Sequence, residues 1–185
     1  TTRHESSAAS DVYKRQYLVD VAAPGSDLES QILSTNPILE AFGNSKTCRN
    51  DNSSRFGKWI EIKFDREHKI HDCAITTYLL EKSRVAYQPA GERNYHIFHM
   101  LCKAAKSDLK ERLHLNYNCD YDLVSTDGVM YDCNAIDDVE NYGELLSSMK
   151  DVGWSDQLQE DIFKIVAGIL HLGNVSFVEQ EFLIQ

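Results

Sequence analysis

The chain has 185 residues, of which 42% are hydrophobic, and it carries a formal net charge of −10 from 19 basic and 29 acidic residues. This apolar content supports one ordinary core and excludes a chain that is disordered throughout. The negative charge argues against a nucleic acid or an anionic membrane surface as the main partner.

The five cysteines restrict the class of protein further. Their number is odd and none of them forms a C-x-x-C pair, which argues against a disulfide framework or a zinc site and favours a reducing compartment. The sequence shows neither a secretory signal nor the roughly 20 consecutive apolar residues that a membrane span requires. We therefore expect a cytoplasmic protein without a membrane span.

The first predicted element is a helix over residues 25–44, with Ile32 and Leu39 on one side of it. Pro37 lies inside this pattern. Because proline removes a helix hydrogen bond and restricts the residue before it, we expect a kink or a break near Asn36.

A β-hairpin is predicted next, from two runs rich in β-branched and aromatic residues that flank a turn at 65–69. The first run alternates with period two up to residue 64, and the second covers residues 70–80. The apolar side of the first run would consist of Phe56, Ile60, Ile62 and Phe64.

The remainder of the chain is predicted to be mainly helical. Helices are expected over residues 91–105, 137–153 and 155–174, the last with Ser155 as its N-cap. The buried face of that last helix is predicted to consist of Leu158, Ile162, Ile165, Ile169 and Leu172. The fold class is therefore α/β, a hairpin that belongs to a larger sheet followed by a mainly helical subdomain.

Ahead of the hairpin stands the polar stretch CRNDNSSRFGKWIEIKF, residues 48–64. A serine hydroxyl is a suitable ligand for Mg²⁺, which prefers oxygen. Adjacent side chains on an extended backbone point in opposite directions, so Ser53 and Ser54 are expected to have different roles. One of them would face a metal ion and the other a phosphate or water.

The neighbouring residues suit an anion. The amides of Asn50 and Asn52 can donate to phosphate oxygens without adding charge, and Arg55 offers a planar pair of donors. Gly57 allows a close approach of the backbone. Taken alone, however, the motif favours a simpler interpretation, a capped and solvated turn with Arg55 in an exposed ion pair.

Three separated stretches favour a phosphate and metal site over a solvated turn, because each resembles the myosin motor domain. Residues 36–64 resemble the region around its switch I loop, and residues 79–105 resemble the segment that follows. Residues 152–177 are similar to a later helix that ends in I-L-H-L-G-N. Order and spacing also match, over residues 17–177.

The resemblance implies roles for individual residues of a switch I loop at 48–57. It implies that Asn50 contacts a nucleotide phosphate and that Ser53 is a catalytic residue, which lies next to the γ-phosphate and the attacking water and acts as a proton relay. Ser54 would ligate Mg²⁺, and Arg55 would pair with a glutamate of switch II.

The resemblance also implies a P-loop NTPase-type motor that hydrolyses ATP with Mg²⁺ and moves on actin filaments. The sequence contains neither G-x-x-x-x-G-K-[ST] nor D-I-x-G-F-E, the P-loop and switch II motifs of that family. We therefore expect residues 17–185 to form part of a motor domain that needs the remaining motor segments and is inactive alone. Residues 1–16 are expected to be a disordered or foreign tail.

Two alternatives remain open. The first is a non-catalytic module that binds actin or another protein, since residues 106–185 hold 5 basic and 16 acidic residues and could face a basic partner. The second is a fragment without independent activity.

Some other polar residues receive structural interpretations. Lys82 and Arg84 are expected to be solvated or to contact another domain, although an anion site is conceivable. His96 and His99 lack further ligands for a metal. Asp137, Asp138 and Glu140 are expected at a helix N-terminus, where negative charge is favourable.

Overall fold

The computed structural model describes residues 27–67, 69–116, 120–125, 130–133 and 136–178. The predicted tail at 1–16 lies outside these residues. The helices are α1 (Asp27–Gly43), α2 (His96–Ala104), α3 (Ser107–Arg112), α4 (Asp138–Asp151) and α5 (Asp156–Gly173), with a 3₁₀ helix at Lys82–Val85. The strands are β1 (Asn44–Ser45), β2 (Ser53–Ser54), β3 (Gly57–Phe64) and β4 (Ile70–Tyr78).

Helix α1 continues without interruption through Pro37. Of the two predicted outcomes, a break near Asn36 is therefore wrong, and a kink stays a prediction. Proline at this position removes a single backbone hydrogen bond, whereas the burial of Ile32, Ile38 and Ala41 holds the segment on both sides of it. Packing outweighs the local preference here.

The predicted hairpin is confirmed. Strands β3 and β4 pair antiparallel, with Gly57 opposite Tyr78 and a register shift between Lys63 and Phe64. The turn is held by Asp65, whose carboxylate accepts hydrogen bonds from the backbone N–H groups of Glu67 and Lys69 at 2.8 and 2.9 Å.

The apolar side of β3 is only partly covered. Ile60 and Ile62 are half-buried, but Phe64 is 45% exposed. On the opposite side Trp59 is 66% exposed. The buried residues at this end form a small cluster of Ile32 and Ile70.

The main core lies among the helices, and α2, α4 and α5 supply much of it. The largest fully buried apolar side chains are Leu101, Leu145, Met149 and Leu170. The rings of Tyr142 and Phe163, on α4 and α5, lie 5.7 Å apart between centroids. The helical subdomain thus contains its own core.

The face that α5 buries overlaps only in part with the predicted one, since Ile162 and Ile169 are half-buried and Ile169 packs against the core. Leu158, Ile165 and Leu172 are exposed, whereas the buried residues are Gln159, Phe163, Val166, Ala167 and Leu170. The helix carries two adjacent apolar stripes, and periodicity alone cannot decide which of them faces the core. The stripe with Phe163 packs inward.

The predicted starts of α4 and α5 are confirmed by their caps, whereas α2 begins at His96, five residues after the predicted start at 91. Asp137 accepts hydrogen bonds from the backbone N–H groups of Val139 and Glu140 at the start of α4. Ser155 accepts from Leu158 at the start of α5. Each cap satisfies N–H groups that the helix itself leaves without a partner.

No helix within the described ranges is both long and apolar enough to cross a membrane.

Candidate functional site

The polar motif forms a loop that is closed at its base by two short strands. Asn44 of β1 pairs with Ser54 of β2, and Ser45 pairs with Ser53. Residues 46–52 form the loop between these strands. The two serines of the motif therefore stand at the point where the loop returns to the body of the subdomain.

The base of the loop continues directly from α1. The backbone N–H of Arg55 donates to the carbonyl oxygen of Gly43, the last residue of α1, at 2.8 Å. A side chain at Gly43 would collide with the ring of Phe56, so this close approach requires glycine. A Cβ atom at Gly57 would likewise collide with the ring of Tyr78, which gives Gly57 a packing role.

Within the loop, Thr47 and Asn50 form a local turn. The carbonyl oxygen of Asn50 accepts hydrogen bonds from the backbone N–H and the hydroxyl of Thr47, at 2.9 and 3.1 Å. The side-chain oxygen of Asn50 accepts from the backbone N–H of Asn52 at 2.8 Å. The exposed Asn50 is thus held in a defined position at the loop surface.

Ser53 and Ser54 have different surroundings. Ser53 is half-buried, and its hydroxyl oxygen accepts a hydrogen bond from Nη1 of Arg55 at 3.2 Å. Ser54 is exposed, and its hydroxyl donates to the carbonyl oxygen of Phe56 at 3.2 Å. The two hydroxyls are therefore available to different groups, as two separate roles would require.

Arg55 is held by a glutamate of this same chain. Its Nε donates to Oε2 of Glu81 at 2.6 Å, and Nε of Arg84 donates to the same oxygen at 2.7 Å. Burial raises the pKa of Glu81, but the hydrogen bonds from the two arginines outweigh it and leave that pKa below its ordinary value. Glu81 is therefore ionised at neutral pH.

Arg84 continues this network to the other end of the loop. Its Nη1 donates to Oε2 of Glu92 at 2.9 Å, and Oε1 of Glu92 accepts from the backbone N–H of Cys48 at 3.2 Å. Burial raises the pKa of Glu92, and the hydrogen bonds from Cys48 and Arg84 lower it below its ordinary value. Alternating charges thus connect the start of the loop to Arg55.

The expectation that Arg84 is solvated was therefore wrong, because this side chain is only 4% exposed and is paired with two glutamates, whereas Lys82 is exposed. Sequence reasoning missed Glu81 and Glu92 as supports of the loop. The available signal was weak: a glutamate three residues before an arginine in EKSR is equally typical of a solvated turn.

Asn52 points towards the helices. Its amide Nδ2 donates to Oε2 of Glu40 at 2.9 Å, and its Oδ1 accepts from Nδ2 of Asn44 at 3.0 Å. Oδ1 also lies 3.2 Å from Nε2 of His96 on α2. The expectation that both Asn50 and Asn52 offer their amides to a phosphate is therefore not met for Asn52, whose amide is engaged with Glu40.

The groups of the loop that could bind a metal ion are individual oxygen atoms rather than a cluster of ligands. Across the described ranges, no group of three or more His, Cys, Asp and Glu residues is arranged to hold a metal ion. The exposed hydroxyl of Ser54 suits Mg²⁺, which commonly binds few protein groups and takes its other ligands from water and phosphate. The chemistry of the loop therefore fits a Mg²⁺ ion that arrives with a phosphate ligand.

Comparison with known proteins places these features in a family. The sequence matches the family described as myosin head (motor domain) over residues 7–182. It is 49% identical over 150 residues to Myosin-2 of Saccharomyces cerevisiae, covering 81% of this chain and 10% of that protein. It is 48% identical to Myosin-3 of Arabidopsis thaliana, covering 88% of this chain and 14% of that protein.

A further relative, from a third lineage, also matches this chain. Myosin ID heavy chain of Dictyostelium discoideum is 44% identical over 165 residues, which cover 88% of this chain and 15% of that protein. The chain thus spans between about a tenth and a seventh of the length of the curated relatives described here.

Proposed function

This chain belongs to the myosin head (motor domain) family, and from that premise we propose that residues 48–57 are the nucleotide-sensing switch I loop of an actin-based motor that hydrolyses ATP. In the intact motor the chain would work with the segments that carry the P-loop and switch II. Residues 17–185 would then form part of the motor domain.

The observation that carries this proposal is the arrangement of the two serines at the closed base of the loop. Ser53 and Ser54 face different partners on adjacent positions, and a loop of seven residues, 46–52, is closed beside them by β1 and β2. An exposed hydroxyl at the base of a polar loop can contact a metal ion or a terminal phosphate, and a change in such a loop is one of the known ways in which a phosphate is sensed.

Each residue then has a defined task. Ser54 would hold Mg²⁺ through its hydroxyl, and Mg²⁺ would neutralise charge that develops on the phosphates. Ser53 would contact the γ-phosphate and orient the attacking water, while Asn50 would donate to a phosphate oxygen. Because phosphoryl transfer depends mainly on positioning and charge stabilisation, these neutral groups are suited to it.

Arg55 would act by closing the loop. In this structure Glu81 holds its guanidinium, with Arg84 sharing the same carboxylate. A second carboxylate supplied by switch II could therefore compete with Glu81 for Arg55. Closure would exchange one ion pair for another, so its free energy would be a small difference between similar interactions.

Ser54→Ala in a motor domain that contains this segment tests the metal role. We expect ATP hydrolysis to fall by at least about tenfold, because the loss of a transition-state interaction costs that factor for each 1.4 kcal/mol. Ser147→Ala is the matched control, since Ser147 is an exposed serine of α4. Equal activity of the two variants would contradict the assignment.

The isolated chain should not hydrolyse ATP, because the phosphate cradle lies in another segment. Steady-state phosphate release from the purified chain measures this directly. Turnover that Ser54→Ala abolishes would show that the chain is an ATPase on its own and would contradict this part of the proposal.

A second candidate function is a non-catalytic module that binds actin or another protein segment. The exposed stripe of Leu158, Ile165 and Leu172 on α5 favours it, because apolar residues in a row on a helix surface are typical of contact sites. Co-sedimentation with actin filaments tests the actin version, and a chain that stays in the supernatant at saturating actin would exclude it.

A further inference from the structure

A cavity lies behind the loop, on the side to which Asn52 points. It has a volume of about 340 Å³ and is bounded by α1, α2 and α4. Leu33 and Met100 are among its apolar walls, and its polar groups include Glu40, Asn52 and Glu144. This size lies within the range of sites for small organic molecules.

The hydrogen bonds of Asn52 define the polarity of this cavity. An ionised carboxylate only accepts hydrogen bonds, so the group of Asn52 that faces Glu40 must be its NH₂ group. Oδ1 of Asn52 then faces Nε2 of His96, and this contact requires the ring to carry its proton on Nε2. Nδ1 of His96 is consequently a bare acceptor.

This acceptor meets no donor among the described residues, although His96 is only 1% exposed. The ring also stays neutral at pH 7, because burial and the nearby Arg93 lower the pKa of His96 to about 4 against the opposing effect of Asp138 and Asp51. Nδ1 has almost no solvent-accessible surface, so a ligand in the cavity must be recognised by the other polar groups of its wall.

The remaining polar groups point to a positively charged ligand. Glu40 uses Oε2 for Asn52, which leaves Oε1 for another donor, and Glu144 adds a second carboxylate to the cavity wall. Acceptors of this kind suit an amidinium or ammonium group, and the apolar wall suits an attached ring.

We propose that this cavity is a binding site for a compact organic cation with an aromatic or aliphatic body, and that its occupant contacts the loop through Asn52. The site is separate from the phosphate-facing residues assigned above and does not rest on those roles. A ligand bound here would alter the loop from behind, because Asn52 belongs both to the cavity wall and to residues 46–52.

The test uses the full 185-residue chain labelled with ¹⁵N, titrated with benzamidine and followed by NMR at pH 7. We expect saturable shifts of the Asn52 side-chain amide and of the His96 ring signals. Benzamide is the matched probe, because it has nearly the same shape without the charge, and it should bind about tenfold more weakly.

Two variants localise the binding. Glu144→Gln should weaken benzamidine binding by about tenfold, whereas Glu140→Gln, on the same helix but outside the cavity wall, should leave the affinity unchanged. Leu33→Trp should fill the cavity mouth and abolish the shifts. If benzamidine produces no saturable shift at Asn52 and His96, the cavity does not bind an organic cation, and if benzamide binds equally well, it does not select one. Either result overturns the proposal.

Discussion

The helical subdomain and the β3–β4 hairpin differ in how they are stabilised. The helices bury an extensive core in which Leu101, Leu145 and Leu170 are fully inaccessible to solvent. The hairpin has regular backbone pairing along eight registered positions, yet Trp59 and Phe64 remain largely exposed. The two regions thus depend on different kinds of interaction.

This difference indicates which of the elements next to the loop is more stable and which opens more easily. A two-stranded ribbon with little side-chain burial is only marginally stable by itself. The loop at 46–52 lies between α1 and this hairpin. Its N-terminal end is therefore attached to a well-packed helix, and its C-terminal end to the less stable hairpin. Local opening should therefore begin on the hairpin side.

The largest effect is expected from Asp138→Ala, which removes the carboxylate that pairs with Arg93 at 2.7 Å and Lys103 at 2.9 Å. Arg93 would keep a buried charge without its partner, at a cost of about 3–5 kcal/mol. Urea unfolding measures this. Glu140→Ala, an exposed change on the same helix, should shift stability by less than about 0.5 kcal/mol. A loss below about 1 kcal/mol for Asp138→Ala would mean that this buried pair is not important.

Leu145→Ala should come next, with a loss of about 3 kcal/mol, because it opens a cavity in the core. Leu158→Ala deletes the same atoms from an exposed position on α5 and should cost far less. Comparing the urea midpoints of the two variants sharpens the contrast between core and surface. Equal losses would show that the outer stripe of α5 is in fact covered.

Acid should weaken the helical subdomain through His96. Its pKa is lowered to about 4 in the folded chain, whereas the unfolded chain takes up the proton near 6.5. The folded state is therefore favoured fully above pH 6.5 and loses about 2 kcal/mol as the pH falls to 5. His99, whose pKa burial also lowers strongly, acts in the same direction.

Unfolding measured at pH 7 and pH 5 tests this effect. His96→Gln should reduce the difference in stability between the two pH values, whereas Thr76→Ser, a change on the exposed surface of β4 that removes no titratable group, should leave it unchanged. If His96→Gln leaves the pH dependence as it is, the buried ring does not control it.

The smallest effect is expected in the hairpin. Trp59→Ser should change the free energy of unfolding by less than about 0.5 kcal/mol, since the indole is mostly in solvent. Amide hydrogen exchange should also show lower opening free energies for β3 and β4 than for α2. A loss above about 2 kcal/mol for Trp59→Ser would reverse the comparison.

Local signals predicted much of the fold. The hairpin, its turn and the helix starts at Asp137 and Ser155 follow from period-two patterns, turn residues and caps, which act over a few positions. The unbroken path of α1 through Pro37 and the inward stripe of α5 depend on distant packing partners. Such partners leave no trace in a window of fifteen residues.

The candidate site was predictable in its residues but not in its supports. Asn50, Ser53, Ser54 and Arg55 stand together in the sequence, so the motif could be identified directly. Glu81 lies 26 residues from Arg55 and Glu92 lies 44 from Cys48, and only the folded chain brings each pair together. The roles of the four motif residues towards nucleotide and metal stay predictions.

Helix α1 ends at Gly43, so only the two residues of β1 separate this helix from the loop at 46–52. Seventeen residues of helix measure about 25 Å at 1.5 Å per residue. A movement of the N-terminal end of α1 could therefore reach the two serines through the helix and β1. A change in the loop could likewise displace the N-terminal end of α1, about 25 Å away.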